Sequence, residues 1–361
     1  MADKYVSVRK YLVFLIVVAT LINFGRFSVE FIMPLYIKSI SDSIATTGIV
    51  LAVSGLTMLL LEVPCGWLSD IIGRQKLMVG RALIGTLAIF LYRFADIRLI
   101  VIARILYGLS VSMFYPSMRA WISDVSVKST STTAFGILYA LISIGSFFGN
   151  IVGGYLIQTL GFIQSSTISS IVVLSSVIPT IVVRMPDERD DFSTSKNLKQ
   201  KVLNERKENE NGSYKLLFPV YFINFLWFFV MISTGMAFPI YAEEFLLMSI
   251  AEIGFIRGLS SMMTTPFEII SGSVADKIGR RRLVLFGLLL LMASCFFLVF
   301  VKWIGLVILV LSLGSVGRGL IWPLMTSYVA EKAPRRSRGM SMAFFGLSED
   351  MAAFLAPATV G

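Results

Sequence analysis

The sequence predicts an all-α integral membrane protein made of two six-helix bundles that are related by an internal repeat. Three observations support this fold class. The 361-residue chain is 56% hydrophobic and only 15% charged, which is more apolar than a soluble domain allows at its surface. Eleven apolar stretches are long enough to cross a hydrocarbon core about 30 Å thick as helices. Charged, Gly and Pro residues recur in register between the two halves.

Six predicted spans form the first half, residues 1–185. The first span follows Lys4, Arg9 and Lys10, as a signal peptide would, but the apolar run is too long and no small-residue cleavage site follows it. We therefore assign it as span 1. The six spans cover residues 11–37, 45–68, 77–95, 98–122, 133–159 and 161–183.

A polar linker and five further spans make up the rest of the chain. Residues 186–214 carry nearly balanced charge and no sustained apolar face, which is typical of a linker outside the membrane. Residues 215–361 are predicted to form the C-terminal bundle, with spans at 216–242, 250–275, 283–301, 304–329 and 340–361.

The repeat appears when the sequence is shifted by 205 to 207 residues. Matches between apolar residues count for little, because all membrane helices resemble one another in composition. Matches between charged, Gly and Pro residues in one register are informative. They pair MPLY at 33–36 with FPIY at 238–241, Glu62 with Glu268, GWLSDIIGRQK at 66–76 with GSVADKIGRRR at 272–282, Pro116 with Pro323, and Asp124 with Glu331.

The same register predicts that the C-terminal half is truncated after helix 11. It places Gly361 opposite Gly154, inside span 5. The predicted C-terminal bundle therefore has five helices, and a twelfth helix is missing.

The Lys and Arg residues are concentrated in the loops on one side of the predicted membrane spans. Of the 32 Lys and Arg residues, about 22 lie in the N-terminus and in alternate loops, about four lie in the opposite loops, and six lie inside spans. This bias predicts a multi-pass protein of the cell (plasma) membrane, with its N-terminus and central loop in the cytoplasm. The net charge of +10 is then topological, and we expect no nucleic-acid partner.

The loop after span 2 carries a family signature. Gly66, Asp70, Gly73 and Arg74 fit the pattern G-x-x-x-D-x-x-G-R-x-K/R, which recurs at Gly272, Asp276, Gly279 and Arg280. The chain resembles the major facilitator superfamily over essentially its whole length. The resemblance implies that Asp124 and Glu331, at the cytoplasmic ends of spans 4 and 10, complete each charge cluster. These clusters either latch the cytoplasmic face, or serve as turn formers and topological anchors.

Span 5 contains a second pattern. Gly145, Gly149, Gly153 and Gly154 resemble the glycine signature of the family's drug/proton antiporters, with Asn150 in place of the usual proline. Pro357 occupies the repeat position in span 11. Small residues four apart also let helix backbones approach closely in lipid, so plain helix packing is the alternative.

Ionisable residues inside spans are candidates for function, because exposing them to lipid is costly. Arg26 and Glu30 lie one helical turn apart and can pair along one face, and Arg104 reaches a similar depth. The resemblance implies that spans 1, 4, 7 and 10 line a central cavity. We expect Glu30 to be protonatable with Arg26 and Arg104 as counter-charges; a static ion pair is the alternative.

Further charges lie in the second half. Glu349 and Asp350 fall near mid-membrane and are candidates for proton coupling. Arg257 and Arg318 lack repeat mates, and are expected to contact an anionic substrate or to pair with Glu349 or Asp350. Glu62 and its repeat mate Glu268 occupy equivalent places, which predicts a structural role such as capping or pairing across the interface between the halves.

The sequence therefore predicts a secondary active transporter working by alternating access, most like a proton-coupled exporter of amphipathic or drug-like molecules. Its partners are a small-molecule substrate and the lipid bilayer, and it acts as a monomer without a cofactor or metal, driven by a proton gradient. A symporter or uniporter for sugars, organic anions or other metabolites is an alternative, as is a non-transporting receptor. The chain has no His and no phosphate-binding loop, which argues against an enzyme or an ATP-driven pump.

Overall fold

The computed structural model describes residues 17–125, 131–182, 210–333 and 338–361, and these ranges are helical apart from short turns. Each predicted span corresponds to one helix. In chain order the helices are α1 (17–30 and Met33–Ser41), α2 (Ile44–Ile72), α3 (Arg74–Leu91), α4 (Ile97–Val125), α5 (Ser131–Leu160), α6 (Phe162–Ser175 and Val177–Val182), α7 (Glu210–Glu244), α8 (Ile250–Ile278), α9 (Arg280–Leu298), α10 (Ile304–Lys332) and α11 (Arg338–Val360).

The predicted linker lies mostly outside the described residues, up to residue 209. Helix α7 begins at Glu210, which is five residues before the predicted start of the second bundle at 215. A break divides α1 at residues 31–32. Pro34, at the start of the second segment, has no backbone N–H to continue the hydrogen-bond ladder. Glu30 is therefore the last residue of the first segment.

The internal repeat is visible in the backbone. Ser43 caps α2 by accepting a hydrogen bond from the Thr46 amide, and Ser249 caps α8 with Glu252 in a reciprocal capping box. Gly73 ends α2 with φ 97°, and Gly279 ends α8 with φ 96°. L-residues rarely adopt this conformation, so both turns require glycine. The two signature loops thus adopt the same structure.

The two halves meet along two helix pairs, α5 with α8 and α2 with α11. Small residues bring the backbones together at equivalent places. A Cβ on Gly154 would lie 3.1 Å from the Cα of Gly254, and one on Gly361 would lie 2.6 Å from the Cα of Gly48. Gly48 and Gly254 are repeat mates, as are Gly154 and Gly361, so the interface has the approximate two-fold symmetry of the repeat.

The outer surface is apolar. Trp67, Phe218 and Phe296 expose 68%, 68% and 61% of their surface, as expected of side chains that face lipid. Among the described residues, nine helices are long and apolar enough to cross a membrane. The two remaining long helices, α8 and α11, lie at the interface between the halves and carry ionisable residues on the cavity wall, among them Glu268 and Glu349.

Candidate functional site

A cavity of about 310 Å³ lies between the two halves. Its walls come from α1, α2, α4 and α5 on one side and from α7, α8, α10 and α11 on the other. The six charged residues that the sequence predicted to serve proton coupling or substrate binding all line it, although they are scattered over 325 residues of sequence. They are Arg26, Glu30, Arg104, Arg257, Glu349 and Asp350.

The strongest contact in the cavity is the ion pair between Glu30 and Arg104. Arg104 Nη1 lies 2.8 Å from Glu30 Oε1 and 2.9 Å from Oε2, and both side chains are largely buried, with 13% and 6% exposed for Glu30 and Arg104. Tyr92 donates a hydrogen bond of 3.3 Å to Glu30 Oε1. Arg104 Nη2 donates to Ser54 Oγ at 2.7 Å. Helix α4 and the turn after α3 therefore hold this carboxylate, and Ser54 on α2 fixes the arginine.

Arg26 does not pair with Glu30 in the way that their one-turn spacing suggested. Its Nη1 donates a hydrogen bond of 3.5 Å to the Tyr115 hydroxyl. Its guanidinium lies 5.2 Å from the Tyr107 ring centroid, within range of a cation–π contact. The Glu30 carboxylate turns to Arg104 because α4 places that guanidinium directly against it, leaving Arg26 with aromatic partners and only longer-range attraction to Glu30.

Glu268 lies on the cavity wall rather than in a purely structural position. The side chain is 1% exposed. Its Oε1 accepts a hydrogen bond of 3.1 Å from Ser143, on α5 of the other half, and its Oε2 has no hydrogen-bond partner among the described residues. Its repeat mate Glu62, 5% exposed, lines the same cavity. The hydrogen bond from Ser143 is a pairing across the interface between the halves, as the repeat predicted for Glu268. Repeat equivalence did not reveal that Glu62 and Glu268 also face the central space.

Glu349 and Asp350 are buried, with 8% and 6% exposed. Trp322 Nε1 donates a hydrogen bond of 3.2 Å to Glu349 Oε1. The Trp322 ring stacks on Tyr139, with centroids 4.0 Å apart, and meets Phe228 edge-on at 5.6 Å. A group of aromatic rings from both halves thus borders the Glu349 carboxylate.

The C-terminal wall also has an apolar strip on α7. Phe228, Met231, Ile232 and Met236 line the cavity, and all lie in the segment 224–236 of the printed sequence, which is rich in Phe and Met. Flexible and aromatic side chains of this kind adapt to ligands of different shape. The cavity therefore offers apolar surface beside a few charged groups.

The cytoplasmic signature residues are described in part. Arg280 makes two hydrogen bonds to Glu331, of 2.8 and 2.9 Å, and Asp276 lies within electrostatic reach of Arg280. The side chains of Asp70 and Asp124 lie outside the described residues. The Arg280–Glu331 pair joins α9 to α10 within one half, so this contact does not by itself hold the two halves together.

The glycines of span 5 serve close helix contacts. A Cβ on Gly145 would lie 3.0 Å from the Thr20 carbonyl oxygen, and one on Gly149 would lie 2.5 Å from that of Phe24. Gly153 faces the backbone of Ser28 in the same way, so this row packs α5 against α1. Gly154 faces α8 instead. Asn150 lies on the cavity wall, and Pro357, inside α11, packs its backbone against α2.

The polar partners of the buried charges carried no signal in the sequence. Tyr92, Tyr115 and Ser54 each contact a charge on another helix, and ordinary Tyr and Ser residues occur throughout the spans. Within the described residues, no group of three or more His, Cys, Asp or Glu is placed to hold a metal ion. The arrangement places carboxylates beside guanidinium groups in a space shared by both halves.

Comparison with known proteins gives consistent results. The family model of the Major Facilitator Superfamily matches residues 15–359. Multidrug resistance protein 1 of Bacillus subtilis is 22% identical over 312 residues, covering 84% of this chain and 76% of the relative. Multidrug resistance protein 2 of the same organism is 25% identical over 265 residues, covering 70% of this chain and 64% of the relative.

Two further similarities extend the comparison. Quinolone resistance protein NorA of Staphylococcus aureus is 19% identical over 156 residues, covering 43% of this chain and 40% of the relative. The crystal structure of the human organic anion transporter MFSD10 (TETRAN) superposes with a TM-score of 0.75 at 14% identity, covering 97% of this chain and 92% of that one. At this identity the likeness concerns the fold alone.

Proposed function

The chain belongs to the major facilitator superfamily, and on that premise we propose that it is a secondary active transporter that exports amphipathic, drug-like molecules in exchange for protons. The observation that carries the proposal is the cavity between the halves. It combines buried carboxylates and guanidinium groups with an aromatic and Met-rich wall. The relatives named for multidrug and quinolone resistance support the substrate class.

Alternating access would proceed by rocking one half against the other. The halves meet along α5 with α8 and α2 with α11, at glycines such as Gly154 and Gly254, where smooth backbone surfaces can slide with little steric obstruction. The cavity lies between these two contact lines. Rocking about them would open it first to one side of the membrane and then to the other.

Proton coupling would use the carboxylates of the cavity. The sequence proposed Glu30, Glu349 and Asp350, and the position of Glu268 adds a fourth candidate. Protonation of Glu30 would cancel the charge that holds Arg104 and Tyr92. The released groups would then rearrange, which links the proton to the shape of the cavity. A static ion pair that holds α1 to α4 is the competing role for Glu30 and Arg104.

The proposal includes topology and assembly. The excess of Lys and Arg in alternate loops supports a plasma-membrane protein with the N-terminus and the central linker in the cytoplasm. Both halves of the cavity wall come from one chain, which supports a monomer as the transporting unit.

The proposed function is tested on the full chain in proteoliposomes with an acid interior. Lumenal pH is recorded while each member of a panel of lipophilic cations and organic anions is added outside. We expect substrate entry to speed the loss of lumenal protons, and Glu30→Gln to abolish this coupling. Glu243→Gln, an exposed carboxylate, is the matched control and should behave like the unmodified protein.

The outcomes separate the two roles of Glu30. If Glu30→Gln transports with unchanged coupling, Glu30 is a static partner and not a proton carrier. If no compound moves protons, yet substrate exchange across the membrane is seen, the protein is a uniporter or couples to another ion.

A further inference from the structure

One arginine on the C-terminal wall of the cavity has no direct partner. Two arginines line this wall, Arg257 on α8 and Arg318 on α10, together with the carboxylates Glu268, Glu349 and Asp350. Among the described residues, the Arg257 side chain makes no hydrogen bond or ion pair, with these carboxylates or with any other group. Arg257 therefore lies on the cavity wall without a direct counter-ion.

Arg318 is better accommodated. Its Nη2 donates a hydrogen bond of 2.7 Å to Thr264 Oγ1, one turn before Glu268 on α8, and the Glu268 carboxylate lies within electrostatic reach. An ionised Glu268 thus offsets the charge of Arg318. Glu349 and Asp350, on α11 of the same wall, do not pair with Arg257, so its guanidinium has all of its hydrogen bonds available for a bound molecule.

On the opposite wall, the buried cation Arg104 has direct partners. Arg104 is held by Glu30 at 2.8 Å, by Ser54 and by Tyr92. An unpaired charge in a medium of low dielectric constant is costly, and proteins retain one where it has a task. A partner of opposite charge that arrives from outside would supply the missing compensation.

The surroundings of Arg257 define what that partner looks like. A Cβ on Gly235 would lie 3.5 Å from Arg257 Nη2, so the guanidinium lies along α7 at a position without a side chain. The neighbouring residues of α7 that line the cavity are apolar, among them Met231 and Ile232. A bound molecule would therefore meet a cation at one end and apolar surface along the rest.

We propose that Arg257, assisted by Arg318, binds the anionic group of the transported molecule, and that the substrates are amphipathic organic monoanions. The inference rests on the proposed transport function and specifies its substrate class. A guanidinium binds a carboxylate through two parallel hydrogen bonds, while the apolar body of the substrate packs on α7. Arg257 thereby selects anions over neutral and cationic molecules of the same shape.

The test compares molecules that differ in one group only. Two apolar bodies, phenylbutyl and naphthylmethyl, are each used as the carboxylate, the primary amide and the amine. Binding to the detergent-purified full chain is measured by thermal stabilisation, and uptake of the radiolabelled compounds is measured in proteoliposomes. The variants are Arg257→Gln, Arg257→Lys and Arg318→Gln, with the exposed Arg98→Gln as matched control.

We expect the carboxylates to bind at least tenfold more tightly than their amides and amines. Arg257→Gln should weaken carboxylate binding by roughly tenfold to a hundredfold, the worth of a charged hydrogen-bonded contact, and leave amide binding unchanged. Arg257→Lys should keep part of the preference, and Arg318→Gln should reduce it less. Unchanged amide binding also shows that the variants are folded.

Two results would overturn the inference: carboxylates that bind no better than amides in the unmodified protein, or a preference that Arg257→Gln leaves intact. The proposed transport function fails separately. If lipophilic cations are exported and carboxylates are ignored, transport stands and the anion site is wrong. If carboxylates bind through Arg257 but no compound crosses the membrane, the anion site stands and transport is wrong.

Discussion

Replacing Arg104 by Gln removes the cation that neutralises Glu30 and should strongly destabilise the protein. Arg104 Nη1 holds both oxygens of Glu30, at 2.8 and 2.9 Å. Without it, the carboxylate, 13% exposed, keeps only the 3.3 Å hydrogen bond from Tyr92. Leaving one partner of a buried pair uncompensated costs about 3–5 kcal/mol. At roughly 2 °C per kcal/mol, the melting temperature should fall by roughly 6–10 °C.

The assay is thermal unfolding of the detergent-purified protein at neutral pH, followed by tryptophan fluorescence. The double variant Glu30→Gln with Arg104→Gln should recover most of the loss, because no unpaired charge remains. Arg98→Gln, an exposed residue on the same helix, should stay within about 1 °C, as surface substitutions usually do. Arg26→Gln should cost less than Arg104→Gln, since its hydrogen bond is to a Tyr hydroxyl at 3.5 Å. An Arg104→Gln variant as stable as Arg98→Gln, or a double variant no better than the single, would refute the assigned pairing.

Three further predictions concern packing, the signature turn and orientation. Gly149→Leu should abolish the peak of folded protein in size-exclusion chromatography, because a Cβ at this position would lie 2.5 Å from the Phe24 carbonyl oxygen. Gly80→Ala should be tolerated, since its Cβ meets only the flexible end of a Met side chain, at 3.0 Å. Equal yields of the two folded variants would contradict the packing of α5 on α1. Gly279→Ala should lower the free energy of unfolding by about 1–3 kcal/mol through its backbone alone, because nothing lies within 4 Å of the added Cβ; an unchanged melting temperature would mean that the turn relaxes. A cysteine at Lys76, in a background without the two native cysteines, should react with a membrane-impermeant maleimide only after the cells are opened, and labelling of intact cells would reverse the proposed topology.

The buried charges show how far sequence reasoning reached at the site. Their position inside apolar spans was enough to identify six residues that line one cavity, because a charge in lipid is too costly to keep without a purpose. The identity of their partners was out of reach. Glu30 lies four residues from Arg26 and 74 residues from Arg104, yet its carboxylate forms an ion pair with Arg104.

Glu62 and Glu268 were predicted only in part. Their equivalence in the repeat predicted capping or pairing across the interface between the halves, and the hydrogen bond from Ser143 to Glu268 is such a pairing. The structure places both on the cavity wall, because the two-fold symmetry of the fold brings equivalent residues to the same central space. Equivalent positions in the repeat can therefore belong to the central cavity as well as to the contacts that hold the two halves together.

The sequence by itself determined the properties that depend on local composition and spacing. Membrane insertion follows from the length and hydropathy of each helix, the repeat from charged, Gly and Pro residues in one register, and the signature turns from glycines that alone tolerate φ near 97°. Only the tertiary structure decided which charged groups pair directly and which has no direct partner. Whether Arg257 is paired depends on how α7, α8 and α10 are rotated against each other, and contacts between helices distant in sequence set that rotation.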